Sequence, residues 1–389
     1  MATTKPASTR LHSLDMLRGL TVAGMILVNN GYGESFEMLR HSKWNGMTPC
    51  DLVFPFFLFI MGIACYLSLS KSGFTPTPPV IRRIVKRTVL LFAIGLFINW
   101  FELALEGRPL DFAHLRLWAV MQRIALCYCF VSLFALFCSH RYTLHTIAGL
   151  LAVYTLLIIY GNGYSEDAAT NILAQADLRL FGYDHLYHKS PVDPEGLLGT
   201  ISSTAHVLLG FYCGMLIKQR ESVGEKVIAL FAVGTVCVIA GYLLTYGLPL
   251  NKRIWSPSYV LVTCGLAALL QALFMQLVDG KSALQPSPST PHSSPFTPHP
   301  SPFTLHLTPF TLHLTPLTVF GVNALALYVG SELLAIIFGH LGISTFIYNA
   351  LHSIIPPLKW ASLAYALVFV SINYLLGYWL YRRKIFIKL

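Results

Sequence analysis

The chain alternates apolar runs of about 20 residues, the length an α-helix needs to cross a hydrocarbon core, with short polar or Pro/Gly-rich breaks. Little besides a membrane helix bundle can absorb that pattern. Only 11 % of the 389 residues are charged and 55 % are hydrophobic, with a mean hydropathy of +0.61; a soluble domain carries about 25 % charge. The expected fold is all-α, a polytopic membrane bundle of about ten transmembrane helices near 14–33, 50–70, 84–101, 117–138, 143–161, 197–217, 226–247, 257–278, 316–338 and 361–381. One core divided into 1–281 and 316–389 is expected, joined by a linker over 282–315.

The formal charge of +10 could suggest nucleic acid, but the basic residues fall in short runs between apolar segments and so read as topology signals. With both termini cytoplasmic, the inner loops hold most of the lysines and arginines, and His41 faces outward. The polar, basic start precedes an apolar run that is followed by many more, so the first run is expected to stay as a helix. The eight cysteines lie in or beside apolar stretches and read as small core residues.

Three regions do not fit a span. Residues 162–196, rich in carboxylates, histidines and tyrosines, form the largest outer loop, suited to a polar acceptor or simply to solvent. Residues 339–358 are too short and broken to cross and predict a half-helix at the outer surface. In 282–315, Pro density and repeated Ser-Pro-Phe-Thr units predict disorder, and the histidines at 292, 299, 306 and 313 lack the fixed geometry a metal needs. No metal is expected.

Chemistry concentrates where polar residues meet the apolar runs. Histidine is the side chain type whose charge changes near neutrality, so His41 can serve as base and acid within one cycle. Trp44 and Asn45 follow it, and Asp51 can orient its imidazole or, in Thr48-Pro49-Cys50-Asp51, cap a helix. Asn29 can donate to an oxyanion. Asp15 and Arg18, three apart, can pair on one helix face, or Arg18 can meet an anion. Arg82, Arg83 and Arg87 form a basic cluster suited to topology or to cofactor phosphates, and Gln122 and Arg123 begin a span facing the bundle interior. Asn251-Lys252-Arg253-Ile254-Trp255-Ser256 and Asn323 to Tyr328 are further polar insertions.

Arg10-Leu-His-Ser-Leu-Asp-Met-Leu-Arg-Gly19, the stretch from His41 to Pro55, Gln122 to Leu126, Asp193 to Thr200, Leu250 to Ser256 and Phe320 to Leu327 together resemble the bacterial relatives of heparan-α-glucosaminide N-acetyltransferase, within the transmembrane acyltransferases. The resemblance implies transfer of acetyl from cytoplasmic acetyl-CoA to an amine or hydroxyl of a sugar on the opposite face. It implies a catalytic His41 with Asn29 as companion; Asp51 in support is the reading of the residues themselves. Arg18, Arg82, Arg83, Arg87, Gln122 and Arg123 are the candidate cofactor contacts. Trp44, Asn45, Asp193, Glu195 and Lys252 are the candidate substrate contacts. No counterpart of the large luminal domain that precedes the membrane region in the animal enzyme is expected, and 282–315 has no counterpart in the family pattern. Expected partners are a sugar or glycan and the lipid bilayer of a bacterial inner membrane, with a homodimer left open and nucleic acid excluded.

His41 as a base in a ternary complex and His41 as a transient acetyl carrier are both compatible with the residues. A transporter or flippase of glycans or lipid-linked intermediates is the rival class, since it too would show about ten spans with polar residues inside. No convincing repeat relates the two halves of the sequence.

Overall fold

The computed structural model describes residues 11–280 and 315–387, so the expected linker and its histidines lie outside the described residues, apart from Thr315. Every regular element among the described residues is helical: α1 His12–Asn29, α2 Val53–Leu69, α3 Pro78–Leu105, α4 Val120–Phe137, α5 Thr143–Tyr160, α6 Ile172–Phe181, α7 Gly199–Gln219, α8 Val223–Leu244, α9 Pro257–Phe274, α10 Thr315–Val322, α11 Ala324–His340, α12 Ile343–Ile354 and α13 Leu358–Arg382. Among the described residues eight helices are long and apolar enough to cross a membrane, or nine if the bent pair α10–α11 counts as one span. The tenth expected span is α1, which fails that test while carrying His12, Asp15, Arg18 and Asn29 within one helix. The polytopic bundle expected from the sequence is thus the fold.

Burial sorts centre from rim. The apolar windows of α2 and α7 are 67 % and 78 % buried within the protein, whereas that of α3 is 17 % buried and those of α5, α8 and α13 are 28 %. The rim helices therefore present side chains such as Val89, Phe97, Leu156 and Val236 outward, as a lipid-facing surface requires. α2 and α7 approach closely because glycines meet backbone: a Cβ on Gly62 would lie 2.1 Å from the Val207 carbonyl oxygen, and one on Gly210 2.2 Å from that of Phe59.

Three expectations need correction. The span expected over 316–338 is broken at Asn323, where α10 and α11 meet at 89°. The 162–196 loop contains α6, started by Asn171 accepting from Leu173 N–H and packed through Leu173 and Val192 against Trp44, Tyr154, Ile158 and Ile254. Among the cysteines six are buried, but Cys129 is half-buried and Cys138, at the end of α4, is exposed. The 339–358 region does form a short helix, α12, bounded by Gly342 at φ +71.

Candidate functional site

His41 and Asp51 meet just before α2, where Pro49–Leu52 forms one tight helical turn. Thr48 and Asp51 make a reciprocal capping box there, so the capping expected of Asp51 is real. Orientation of His41 is real too, because the carboxylate has two oxygens. Oδ2 accepts the N–H groups of Ser42 at 3.1 Å and Thr48 at 3.0 Å, while Oδ1 lies 2.7 Å from His41 Nδ1. An ionised carboxylate can only accept, so Nδ1 carries the proton and Nε2 is left as the acceptor. Asp51 is fully buried and the His41 side chain 48 % exposed, which fixes the ring from behind and opens it in front.

The open side is governed by Lys252, whose Nζ stands 2.9 Å from His41 Nδ1, 3.1 Å from Nε2 and 3.7 Å from Asp51 Oδ1. Burial pushes the Lys252 ammonium below its ordinary pKa, while Asp51 and Glu195 pull it back up. The two loops are stitched together: Gly46 N–H donates to the Leu250 carbonyl at 2.7 Å, and Asn251 Nδ2 donates to Asn45 Oδ1 at 3.2 Å. Trp44 Nε1 donates to the Tyr164 carbonyl at 3.0 Å, and Tyr164 in turn donates to that of Pro249 at 3.2 Å. Trp44 is 5 % exposed, so it supports the loops and does not face a ligand.

Arg116 ties the third loop in. It pairs with Asp193 at 3.1 Å and Glu195 at 2.9 Å, and although burial opposes its charge, those carboxylates hold its pKa above the ordinary value. Asp193 is spent on Arg116 and on the N–H groups of Tyr187 and Glu195. Glu195 instead reaches a cavity of about 100 Å³ that it lines with Asn29, His41, Cys50, Lys252 and Tyr328. Asn29 donates to Glu332 at 3.3 Å.

At the opposite ends of the same helices a chamber of about 520 Å³ is lined by Asp15, Arg18, Lys71, Arg87, Gly321 and Ile387, among others. Arg18 pairs with Asp15 at 2.9 Å, as the spacing allows, and also lines this chamber. Arg87 stacks on Tyr128. A narrow apolar cavity of about 10 Å³ lies between: it shares Phe57, Met121 and Ile124 with the chamber, and Met25, Phe54, Val120 and Tyr328 with the His41 cavity.

The candidate cofactor residues therefore separate. Arg18 and Arg87 share the chamber. Arg82 is turned to an open groove on α3 with Lys86, Val85 and Val89, and Arg83 is exposed and lines neither cavity. Gln122 and Arg123 are 0 % and 1 % exposed and face inward at the His41 end, where Arg123 donates to the Gly196 carbonyl at 2.7 Å and stacks on Trp255. Sequence reasoning missed three contributors. Lys71 was read only as a topology charge, Cys50 only as core, and Glu332 not at all, although a carboxylate inside an apolar run is itself a signal. Among the described residues no group of three or more histidines, cysteines and carboxylates could hold a metal ion.

The family model described as heparan-alpha-glucosaminide N-acetyltransferase, catalytic, matches residues 10–176. The mouse heparan-alpha-glucosaminide N-acetyltransferase is 29 % identical over 72 % of this chain and 51 % of its own length, and the human one 28 % identical over 70 % and 49 %. The chain thus spans about half the length of the curated relatives it matches. The matched segment carries Arg18, Asn29, His41, Asp51 and Arg87, so it is over the residues of both cavities that the chain is similar to the heparan-alpha-glucosaminide N-acetyltransferase family.

Proposed function

We propose that the protein is a membrane-bound acyltransferase that takes acetyl from acetyl-CoA held at the Arg18 end and delivers it to an amine, or a hydroxyl, of a sugar or glycan at the His41 end. The observation that carries this is the series of three cavities: a basic chamber, an apolar neck and a cavity at His41, sharing residues pairwise. A transmembrane acetyl transfer needs that sequence. Phosphates bind guanidinium and ammonium groups, so Arg18, Lys71 and Arg87 would hold the nucleotide end on the cytoplasmic face. The uncharged pantetheine arm would run through Phe57, Met121, Ile124 and Tyr328 and bring the thioester to His41. Arg82, Arg83, Gln122 and Arg123 are left out of this binding role, since none lines the chamber.

The incoming amine, neutral at nitrogen, displaces Lys252 from beside the His41 ring, reaches Nε2 and attacks the thioester carbonyl. The new C–N bond forms, the C–S bond breaks, His41 Nε2 takes the amine proton and passes it to the departing thiolate, leaving an amide and free CoA. Asp51 supports the imidazolium that forms between these steps. Lys252 stays beside the carbonyl as the cation that balances the oxyanion, with the second N–H of Asn29 as a further donor.

The test is purified protein in vesicles, with labelled acetyl-CoA on one side and glucosamine-bearing acceptors on the other. Acetylated product without net acceptor movement supports the enzyme; acceptor movement without acetylation supports transport. In the same assay His41→Ala is expected to lose roughly 10²–10⁴ in kcat while its Kd for acetyl-CoA stays near wild type. A fully active variant would remove His41 from the chemistry.

A further inference from the structure

The break between α10 and α11 leaves one side chain that the proposed chemistry does not use. Asn323 is 1 % exposed and lines none of the three cavities, although its neighbours Gly321, Val322, Ala324 and Leu325 all line the chamber. Its amide is engaged at both ends: Nδ2 donates to the Ile385 carbonyl at 3.0 Å, and Oδ1 accepts the Ile387 N–H at 3.0 Å. This is the two-point pairing one β-strand offers another, supplied by a side chain. Those bonds hold residues 385–387 against the helix break, and Ile387 is itself part of the chamber wall with Arg18, Lys71 and Arg87.

The local chain geometry is directed to the same end. α13 stops at Arg382, and Lys384 then sits at φ +54, a left-handed conformation that is unfavourable for a non-glycine residue. The turn is closed by Lys384 N–H on the Tyr381 carbonyl and Ile385 N–H on that of Leu380, both at 3.0 Å. It reverses the chain toward Asn323 instead of letting it continue along the helix axis. Such a conformation persists where surrounding contacts over-determine it, and the Asn323 pair is the contact within reach.

We infer that Asn323 fastens residues 385–387 as a strap that forms one wall of the basic chamber, which makes Asn323 a positioning residue for the phosphate-bearing end of the cofactor. The inference rests on the acetyl-CoA reading of that chamber. The strap excludes water beside the three cations and keeps the wall shaped to the ligand. Asn323 reaches the ligand only through the strap.

Two perturbations reach the strap independently: Asn323→Leu, which removes both bonds, and deletion of residues 385–389, which leaves Asn323 in place. Each is expected to raise the Kd for acetyl-CoA about 5- to 30-fold, with kcat at saturating acetyl-CoA and KM for the acceptor near wild type. The double variant should be no weaker than the weaker single, because both remove one interaction. Additive losses, or a loss in kcat alone, would mean that Asn323 only stabilises the helix break and would overturn the inference. Ile387 is 49 % exposed, so a spin label on Ile387→Cys can be attached whether or not the strap is fastened, with the parent chain as the background for native cysteines. Its motion should be restricted with Asn323 present and freer with Asn323→Leu; equal mobility would overturn the strap. Freer motion with Asn323→Leu in a protein that binds no acetyl-CoA would leave the strap fastened by Asn323 but remove its cofactor role along with the acetyl-CoA reading.

Discussion

The two ends of the cavity series are built in opposite ways. At the His41 end, one segment of about a dozen residues supplies the ring, the carboxylate that aims it and the N–H groups that hold the carboxylate, and loops from two other parts of the chain are hydrogen-bonded onto it. At the Arg18 end the lining comes from α1, α2, α3, α4, α10, α11 and the 385–387 segment, and the enclosed volume is about 520 Å³ against about 100 Å³. On the proposed function, the contrast follows from what each end has to do. Proton transfer tolerates little error in position, so its groups are fixed by short covalent separation and buried bonds. A large polyanion needs room and several cations, which a ring of helix ends provides.

The contrast breaks most sharply if the aiming carboxylate is removed. Asp51→Asn keeps a side chain able to cap the turn but deprives the imidazolium of its counter-charge and leaves the tautomer unset. The expected loss is about 10²–10⁴ in kcat with the Kd for acetyl-CoA unchanged, read by steady-state kinetics beside equilibrium binding. A variant that weakened acetyl-CoA binding and left kcat alone would show that Asp51 serves the other end.

Closing the passage between the ends comes next. Val120 lines both the neck and the His41 cavity, and Val120→Trp overfills a space of about 10 Å³. Binding of CoA in the chamber should persist while transfer falls roughly a hundredfold, since a thioester held short of His41 loses its near-attack geometry. Undiminished transfer would separate the chamber from the chemistry. Arg87→Gln should do the reverse: the Kd for acetyl-CoA rises about tenfold with kcat nearly intact, and the loss shrinks as salt is raised.

These differences also decide what the sequence disclosed. His41, Asp51 and their capping turn are legible because their partners lie within ten residues, inside a motif whose local chemistry is known. The span count is legible because hydropathy reports it. Which of the arginines share a chamber is not, since Arg82, Arg83 and Arg87 occupy one short run and only the packing of α3 against α4 and α11 sends Arg87 inward. The break at Asn323 was hidden for a similar reason: the sequence marks the residue as a polar insertion in an apolar run, but not that residues 385–387, some sixty positions away, return to pair with it.

The smallest expected effect concerns the loop that completes the His41 end. Asp177 on α6 is 1 % exposed and accepts the Leu197 N–H at 2.9 Å, two residues from Glu195. Burial raises its pKa from the ordinary 3.8 to about 6, helped by Asp193 and opposed by the Leu197 N–H and Arg123. A carboxyl whose pKa is raised by folding binds its proton more tightly in the folded state, so its stabilising contribution is full below about 3.8 and is lost as pH rises through about 6. At pH 7.5 the ionised form then costs at most about 3 kcal/mol. Asp177→Asn keeps an oxygen for Leu197 N–H without the buried charge. Its thermal midpoint in detergent should exceed wild type by a few degrees at pH 7.5 and converge with it near pH 4, with the KM for the acceptor changed no more than a few-fold. A constant gap between the two proteins across that range would show that Asp177 does not titrate there, and that the loop bearing Glu195 is held at His41 by Arg116 without regard to pH.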